Sequence, residues 1–237
     1  MWLHYGDHSL ARLRRSRNGS IAPISNNLWF EKVFRKNCTG TARLIRYADD
    51  FVVCFQYKPD AELFRREVGI RLGKFGLELE PAKTRVVEFG RFAVQHAKRK
   101  GKRAETFDFL GLTHYCGTKR DGRGFRMKRV TARKKFTAKL RAFKEWLNAA
   151  RTMKTKELWK IAKAKLRGHY AYYGVTDNLP GIKRFGEEGK KLMFKWLNRR
   201  GKRGCLTWSK FCEMLKRFPL PEPVIKVRMF DIPRMTM

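Results

Sequence analysis

Two adjacent acids, Asp49 and Asp50, stand between β-prone runs: Leu44, Ile45 and Tyr47 lead in, and Phe51, Val52, Val53 and Phe55 lead out. Carboxylates are costly to bring near an apolar core. At the tip of a strand–turn–strand unit, however, one can project into a cleft and hold a divalent cation. Neighbouring side chains on a strand leave on opposite faces, so the two acids do not form a simple dyad. Aspartate also favours ordinary turns, and Tyr47-Ala48-Asp49-Asp50 alone does not separate these readings.

The second chemistry is electrostatic. The 237 residues hold 56 Lys and Arg against 21 Asp and Glu, a formal charge of +35. Such a balance points to a polyanion, and nucleic acid is the usual one. A solvated basic tail is a poor alternative, because tails lack aromatics and this chain has 6 Trp, 7 Tyr and 18 Phe. Residues 1–121 carry 24 basic and 13 acidic side chains, and residues 122–237 carry 32 and 8, so the second half is the main cationic surface. Residues 119–135 alone hold nine basic residues and one acid. Neutralisation of phosphates by such a stretch gives salt-sensitive binding. Tyr170, Tyr172 and Tyr173 can stack on unpaired bases or, for Tyr170 and Tyr173, continue a helix's apolar face. His169 has no acid or cysteine at ligand spacing and reads as a helix-surface or core histidine.

Cys38, Cys54, Cys116, Cys205 and Cys212 are odd in number and widely spaced, which indicates neither a disulfide framework nor a zinc site. A reducing, cytoplasmic setting follows. No apolar run approaches a membrane span, and the Arg-rich first twenty residues lack the apolar core of a signal peptide.

The elements that must position these groups are legible in outline. Residues 1–22 have no period and read as irregular. LWFEKVF suggests a helix over 28–34, followed by a turn at Gly40. The two runs around Ala48–Asp50 predict a tight hairpin. Residues 59–75 predict a helix, with Pro59 in its first turn and Gly76 as its stop. Short strands follow at 77–79 and 84–89, with a charged loop at 98–103. A strand-like stretch covers 107–115, and a turn at 119–124 leads to a return strand at 125–130. Beyond this the apolar spacing is helical over 131–150, 155–173, 180–199 and 207–218, with Thr207 as N-cap. The prolines of 219–237 predict an extended tail.

RLIRYADDFVVCFQ resembles the catalytic hairpin of group II intron reverse transcriptases. GLELEPAKTRVVEFGRFA is similar to the next palm motif, with Lys83-Thr84 at its centre. FDFLGLTHYCG resembles the strand that grips the primer end. RKKFTAKLRAFKEWL, LRGHYAYYGV and LTWSKFCEMLKRFPLPEP are similar to the maturase-specific thumb, or X, domain. The resemblance runs from about Leu28 to Phe230.

It implies an α+β fold: an irregular segment at 1–22, a partial reverse-transcriptase palm at 23–130, a helical thumb/X domain at 131–218 and an extended tail at 219–237. It implies copying of RNA into DNA by two Mg²⁺ ions. Asp49 would bind both ions, Asp50 would support the site, and Lys83 would lie by the incoming triphosphate. Tyr47 and Ala48 would shape the strand that meets the primer end, and Phe109, Leu110 and Gly111 would hold the primer backbone. The thumb/X region would grip intron RNA for splicing and retrohoming. The basic side chains expected on that surface are Arg120, Arg123, Arg126, Lys128, Arg129, Arg133, Lys134, Lys135 and Arg167, with Tyr172.

The sequence also departs from the family. Its polymerases need a further metal-binding aspartate on an earlier palm strand, together with fingers. Here 46 residues precede Tyr47, and their acids are Asp7 and Glu31. The expectation is a truncated or split polymerase that does not polymerise alone, exposes an open sheet edge, and invites a complementing N-terminal palm/fingers polypeptide. A non-catalytic intron-binding module is the alternative.

Overall fold

The structure is a computed structural model. It describes residues 8–14, 22–48, 50–79, 84–119, 121–199 and 206–229, with 8–14 and 22–26 described as backbone. The fold is α+β, with antiparallel sheets and, among the described residues, seven α-helices. The chain divides into two compact units. One comprises residues 1–110 and 114–128, the other residues 111–113 and 129–237.

In the first unit the expected hairpin is present. Strand β2 (Ala42–Tyr47) pairs antiparallel with β3 (Asp50–Phe55), from Ala42 opposite Phe55 to Tyr47 opposite Asp50. Ala48 follows Tyr47 in a turn at the end of the paired strands. The alternation of β3 divides its side chains. Phe51, Val53 and Phe55 face a helix-side core with Ala42 and Leu44, while Val52 and Cys54 face a second core with Val87, Phe89 and Phe107.

One expectation fails at the N-terminal end: residues 8–14 are not irregular, and the side of β3 away from β2 is covered, while β2 itself ends the sheet among the described residues. Strand β1 (His8–Arg14) lies on that side of β3, with His8 opposite Cys54 and Arg12 opposite Asp50. Its other edge pairs with β5 (Arg85–Val87) and then β4 (Glu78–Leu79), giving the order β2-β3-β1-β4 with β5 also on β1. HSLARLR shows no period-two pattern. Backbone hydrogen bonds on both sides, not an apolar face, make it a strand, and such bonds leave no mark in composition.

Helix α1 (Ala22–Lys32) precedes the hairpin and α2 (Lys58–Gly73) follows it. Phe64 of α2 is the hub of their core, with ring centroids 5.0 Å from Phe34, 5.5 Å from Phe55, 5.7 Å from Phe30 and 6.3 Å from Phe51. Buried Asp60 in the first turn of α2 accepts from the Thr39 and Gly40 amides, each at 3.2 Å, and from the Thr39 hydroxyl. That carboxylate fixes the loop entering β2. Gly76, at φ +65°, closes α2 in the left-handed conformation that glycine adopts without strain. Helix α3 (Ala93–Arg99), absent from the sequence reading, extends into the charged stretch expected as a loop.

A second sheet has the order β6-β7-β8, with β6 (Phe107–Phe109), β7 (Leu112–Thr118) and β8 (Phe125–Thr131). The single strand expected over 107–115 is broken by a turn at Leu110 and Gly111.

The second unit is built on α4 (Arg133–Ala149), α5 (Thr155–Tyr173), α6 (Leu179–Asn198) and α7 (Trp208–Arg217). Phe143, Leu147, Leu158, Trp159, Ala162, Met193, Trp196 and Phe211 form one core, and Leu166, Tyr170, Tyr173, Ile182 and Phe185 a second. Gly189 faces Leu166 and Phe143, whose nearest atoms would lie in ordinary contact, 3.5 and 3.7 Å, with an added Cβ. Thr207 caps α7, accepting from the Lys210 amide at 3.3 Å. The described part of the tail is pinned to α5. Trp159 donates to the Phe218 carbonyl at 2.8 Å, and the Lys226 and Val227 amides donate to the Gly174 carbonyl at 2.6 and 3.0 Å. An added Cβ at Gly174 would stand 2.7 Å from the Val224 carbonyl, so only glycine lets the tail approach. Among the described residues no helix is long and apolar enough to cross a membrane.

Candidate active-site hairpin and nucleic-acid surface

The β2–β3 tip joins Tyr47 to Asp50 through Ala48 and Asp49. Tyr47 is 64% exposed. Ala48 has φ +50°, in the left-handed region that residues with a Cβ avoid. Asp50 is half-buried and shares the pleat face of Val52, away from α1 and α2. Exposed Ile45 lies two residues before Tyr47, on the same side of β2. The Arg46 guanidinium reaches the turn, with Nε donating to the Ala48 carbonyl at 2.9 Å and Nη1 to Asn27 Oδ1 of α1 at 3.3 Å. Sequence reasoning missed Arg46, because its partners are a backbone carbonyl and a side chain on another element. Asp49, Lys83 and Arg120 lie outside the described residues.

The strand beside this tip matters for any metal chemistry. Arg12 stands opposite Asp50, and Arg14 opposite Glu78. None of the seven residues of β1 is acidic. Among the described residues no group of three or more His, Cys, Asp or Glu converges. Carboxylates are the hard oxygen donors that Mg²⁺ takes, and of the adjacent pair the described residues include Asp50 alone.

Leu110 and Gly111 form the β6–β7 turn with φ of +50° and +75°, the backbone signs of a type I′ hairpin turn. Leucine is strained there. Of the described residues, only Ala48, Leu110 and Asp177 have positive φ without being glycine. Within the second unit, an added Cβ at Gly111 would lie 3.1 Å from the Tyr173 hydroxyl and 3.7 Å from Lys135 Cγ. Phe109 is half-buried against the Val52 core.

The basic residues divide by exposure. In the first unit Arg123 is exposed, while Arg126 and Lys128 are half-buried. The Lys128 stem lies over Gly117, where an added Cβ would be 2.8 Å away. In the second unit Arg133, Lys134, Lys135, Lys139, Arg141 and Lys144 of α4 are exposed, with Lys134 and Arg141 on the side away from buried Phe143 and Leu147. Arg167 of α5 is exposed as well. Arg129 is 9% exposed, so it does not stand on the surface with the others. Of the three tyrosines, Tyr170 and Tyr173 are buried and Tyr172 is 57% exposed, packed edge-on to Tyr173. His169 is buried, its ring stacked 3.5 Å from that of Phe185. Burial, and then the nearby Lys139 charge, push its pKa down to about 4, so it is a neutral core group at pH 7.

No curated protein matches the chain. Residues 15–114, which hold the hairpin, α2 and the β6–β7 turn, match the family model described as reverse transcriptase (RNA-dependent DNA polymerase), and that is the family to which this part of the chain is similar.

Proposed function

We propose that the protein is a relative of group II intron reverse transcriptase/maturases that binds structured intron RNA, and that the polypeptide of this sequence does not extend a primer by itself. The observation that carries the binding half is the set of six exposed basic side chains of α4 on a folded helical unit. Folded RNA presents phosphates, shape and 2′-hydroxyls more than readable base edges, and exposed lysines and arginines on a rigid helix suit that target. Arg133, Lys134, Lys135 and Arg167, with Arg120, Arg123, Arg126 and Lys128 at the β7–β8 hairpin, would meet phosphates, and exposed Tyr172 would stack on a base. Arg129, being buried, would support the hairpin instead.

At the β2–β3 tip, Asp49 and Asp50 would hold one Mg²⁺, which when bound neutralises phosphate charge. Tyr47 and Ala48 would meet the primer end, Phe109, Leu110 and Gly111 would hold its backbone, and Lys83 would approach the triphosphate. Strand β1 beside this tip carries no acid, and Arg12 stands opposite Asp50 in its register, which supports the non-catalytic reading. A complementing polypeptide with an acid-bearing strand would have to displace β1.

Two assays on the purified chain test this. Binding of a folded intron-type RNA should survive Asp49→Ala and weaken at least about tenfold when Lys134, Lys135 and Lys139 are neutralised together. Primer extension with Mg²⁺ should give no template-dependent product. A product that disappears on Asp49→Ala would refute the non-catalytic half, and equal RNA affinity in the triple variant would refute the binding half.

A further inference from the structure

Residues 91–103 hold six basic side chains and no acid, and none of them belongs to α4 or to the β7–β8 hairpin. The stretch is not a free loop. Helix α3 rests on buried Ala93 and half-buried Ala97, one turn apart on its inner side. Gly101, at φ +65°, ends it. The Gly101 amide donates to the Lys98 carbonyl at 3.0 Å and the Lys102 amide to the Ala97 carbonyl at 2.8 Å, a glycine stop that fixes the chain beyond the helix. Glu88, just after β5, braces the segment. Its carboxylate pairs with His96 Nδ1 and lies 3.9 Å from Lys100 Nζ, and its amide donates to Glu105 Oε2 at 3.1 Å. The cations are thus held in place before any partner arrives, which lowers the entropy cost of binding.

Lys98, Arg99, Lys102 and Arg103 are exposed on this braced segment, and Phe92 beside them is 47% exposed. Phe92, His96 and Arg99 are spaced by four and three residues, which places them in one row along the helix. The Arg91 guanidinium lies 5.6 Å from the centre of the Phe92 ring, and the His96 ring is tilted 22° from it with centroids 6.2 Å apart. Exposed planar groups beside clustered cations make the kind of surface that grips unpaired nucleic acid. Cations meet the phosphates, and a base stacks on a ring or a guanidinium plane. A duplex keeps its bases stacked inside and gains the phosphate part alone.

We propose that the α3 segment is a second nucleic-acid contact, holding an unpaired strand by its phosphates through Lys98, Arg99, Lys102 and Arg103 and stacking one base on Phe92. It lies wholly in the first unit and uses none of the α4 side chains.

The test uses the full chain with Lys134, Lys135 and Lys139 already neutralised, so that its outcome is independent of the α4 reading. The probe is a short fluorescent oligouridylate read by anisotropy, with circular dichroism to establish that each variant is folded. Lys98→Gln, Arg99→Gln and Lys102→Gln together should weaken binding at least about tenfold near about 0.1 M salt, and should flatten the slope of log affinity against log salt by about 2. Arg65→Gln, Arg66→Gln and Lys74→Gln remove the same charge from exposed sites on and just after α2. That control should cost less than about threefold. Phe92→Ala should weaken oligouridylate binding about fivefold or more, and binding of a blunt RNA duplex less than about twofold. Phe92→Trp should keep both. Unchanged affinity in the α3 triple variant, or an equal loss in the α2 control, would overturn the contact. Equal oligouridylate affinity in Phe92→Ala, or an equal loss on the duplex, would overturn the stacking of an unpaired base. If vesicles of phosphatidylcholine and phosphatidylserine bind through these residues while oligouridylate does not, the patch belongs to a membrane surface and the proposal fails.

Discussion

Asn178 and Thr131, 47 residues apart, hold each other by two hydrogen bonds: the Thr131 amide donates to Asn178 Oδ1 at 2.9 Å, and Asn178 Nδ2 donates to the Thr131 hydroxyl at 2.9 Å. The same Nδ2 reaches the Tyr173 carbonyl at 2.8 Å, and Asn178 is fully buried. One amide thus ties the end of β8 to the connection between α5 and α6. Its removal leaves the buried Thr131 amide and hydroxyl without this partner, at about 1–3 kcal/mol each, while the Tyr173 carbonyl keeps the Val175 amide at 2.8 Å. Asn178→Ala should therefore lower stability by about 3 kcal/mol in chemical denaturation. A loss below about 0.5 kcal/mol would show that the network contributes little.

His169 gives the helical unit an acid sensitivity. Its pKa in the fold is pushed down to about 4, against an ordinary value near 6.5 in the unfolded chain. Above pH 6.5 both states are neutral at this site, and its full contribution is present. As pH falls from about 6.5 towards 4, the unfolded state takes up the proton first, and stability declines by up to about 3 kcal/mol. His169→Phe should flatten the stability–pH curve between pH 6.5 and 5, where few carboxylates titrate. An unchanged slope there would assign the acid sensitivity to other groups.

Strand β1 makes a prediction about backbone alone. Leu10 stands opposite Val52 on one side and Arg85 on the other. Proline there removes a ladder donor in an interior strand, at a cost of about 3 kcal/mol. Leu10→Pro should lower the unfolding midpoint of the first unit, whereas Leu10→Val should leave it nearly unchanged. If proline is tolerated, β1 is not part of the folded sheet.

The hairpin, the helix over α2 with its Gly76 stop, and the four basic helices were legible because local chemistry and tertiary structure agree there. Turn formers stand at the tip, the apolar spacing is helical, and a glycine sits at a left-handed position. What escaped was set by distant partners. HSLARLR becomes a strand because β3 and β5 hold it from two sides. The stretch over 107–115 breaks because Leu110 accepts a left-handed turn, which no preference of leucine announces. The role of Tyr172 as the exposed tyrosine, and of Tyr170 and Tyr173 as core, was open in the sequence and is decided by packing against α6. Arg129 belongs to the same lesson: a basic residue inside a basic run reads as surface, and burial is visible only in the fold.

The central claim is that this cationic fold binds RNA chiefly through phosphates. Its most direct test is the affinity of the purified chain for a folded intron-type RNA, measured by fluorescence anisotropy across a range of salt. With about five phosphates neutralised, log affinity should fall linearly with log salt at a slope of roughly −3.5 to −4.5, a loss of more than about a hundredfold between 50 and 250 mM. An affinity that stays level across that range would contradict the claim.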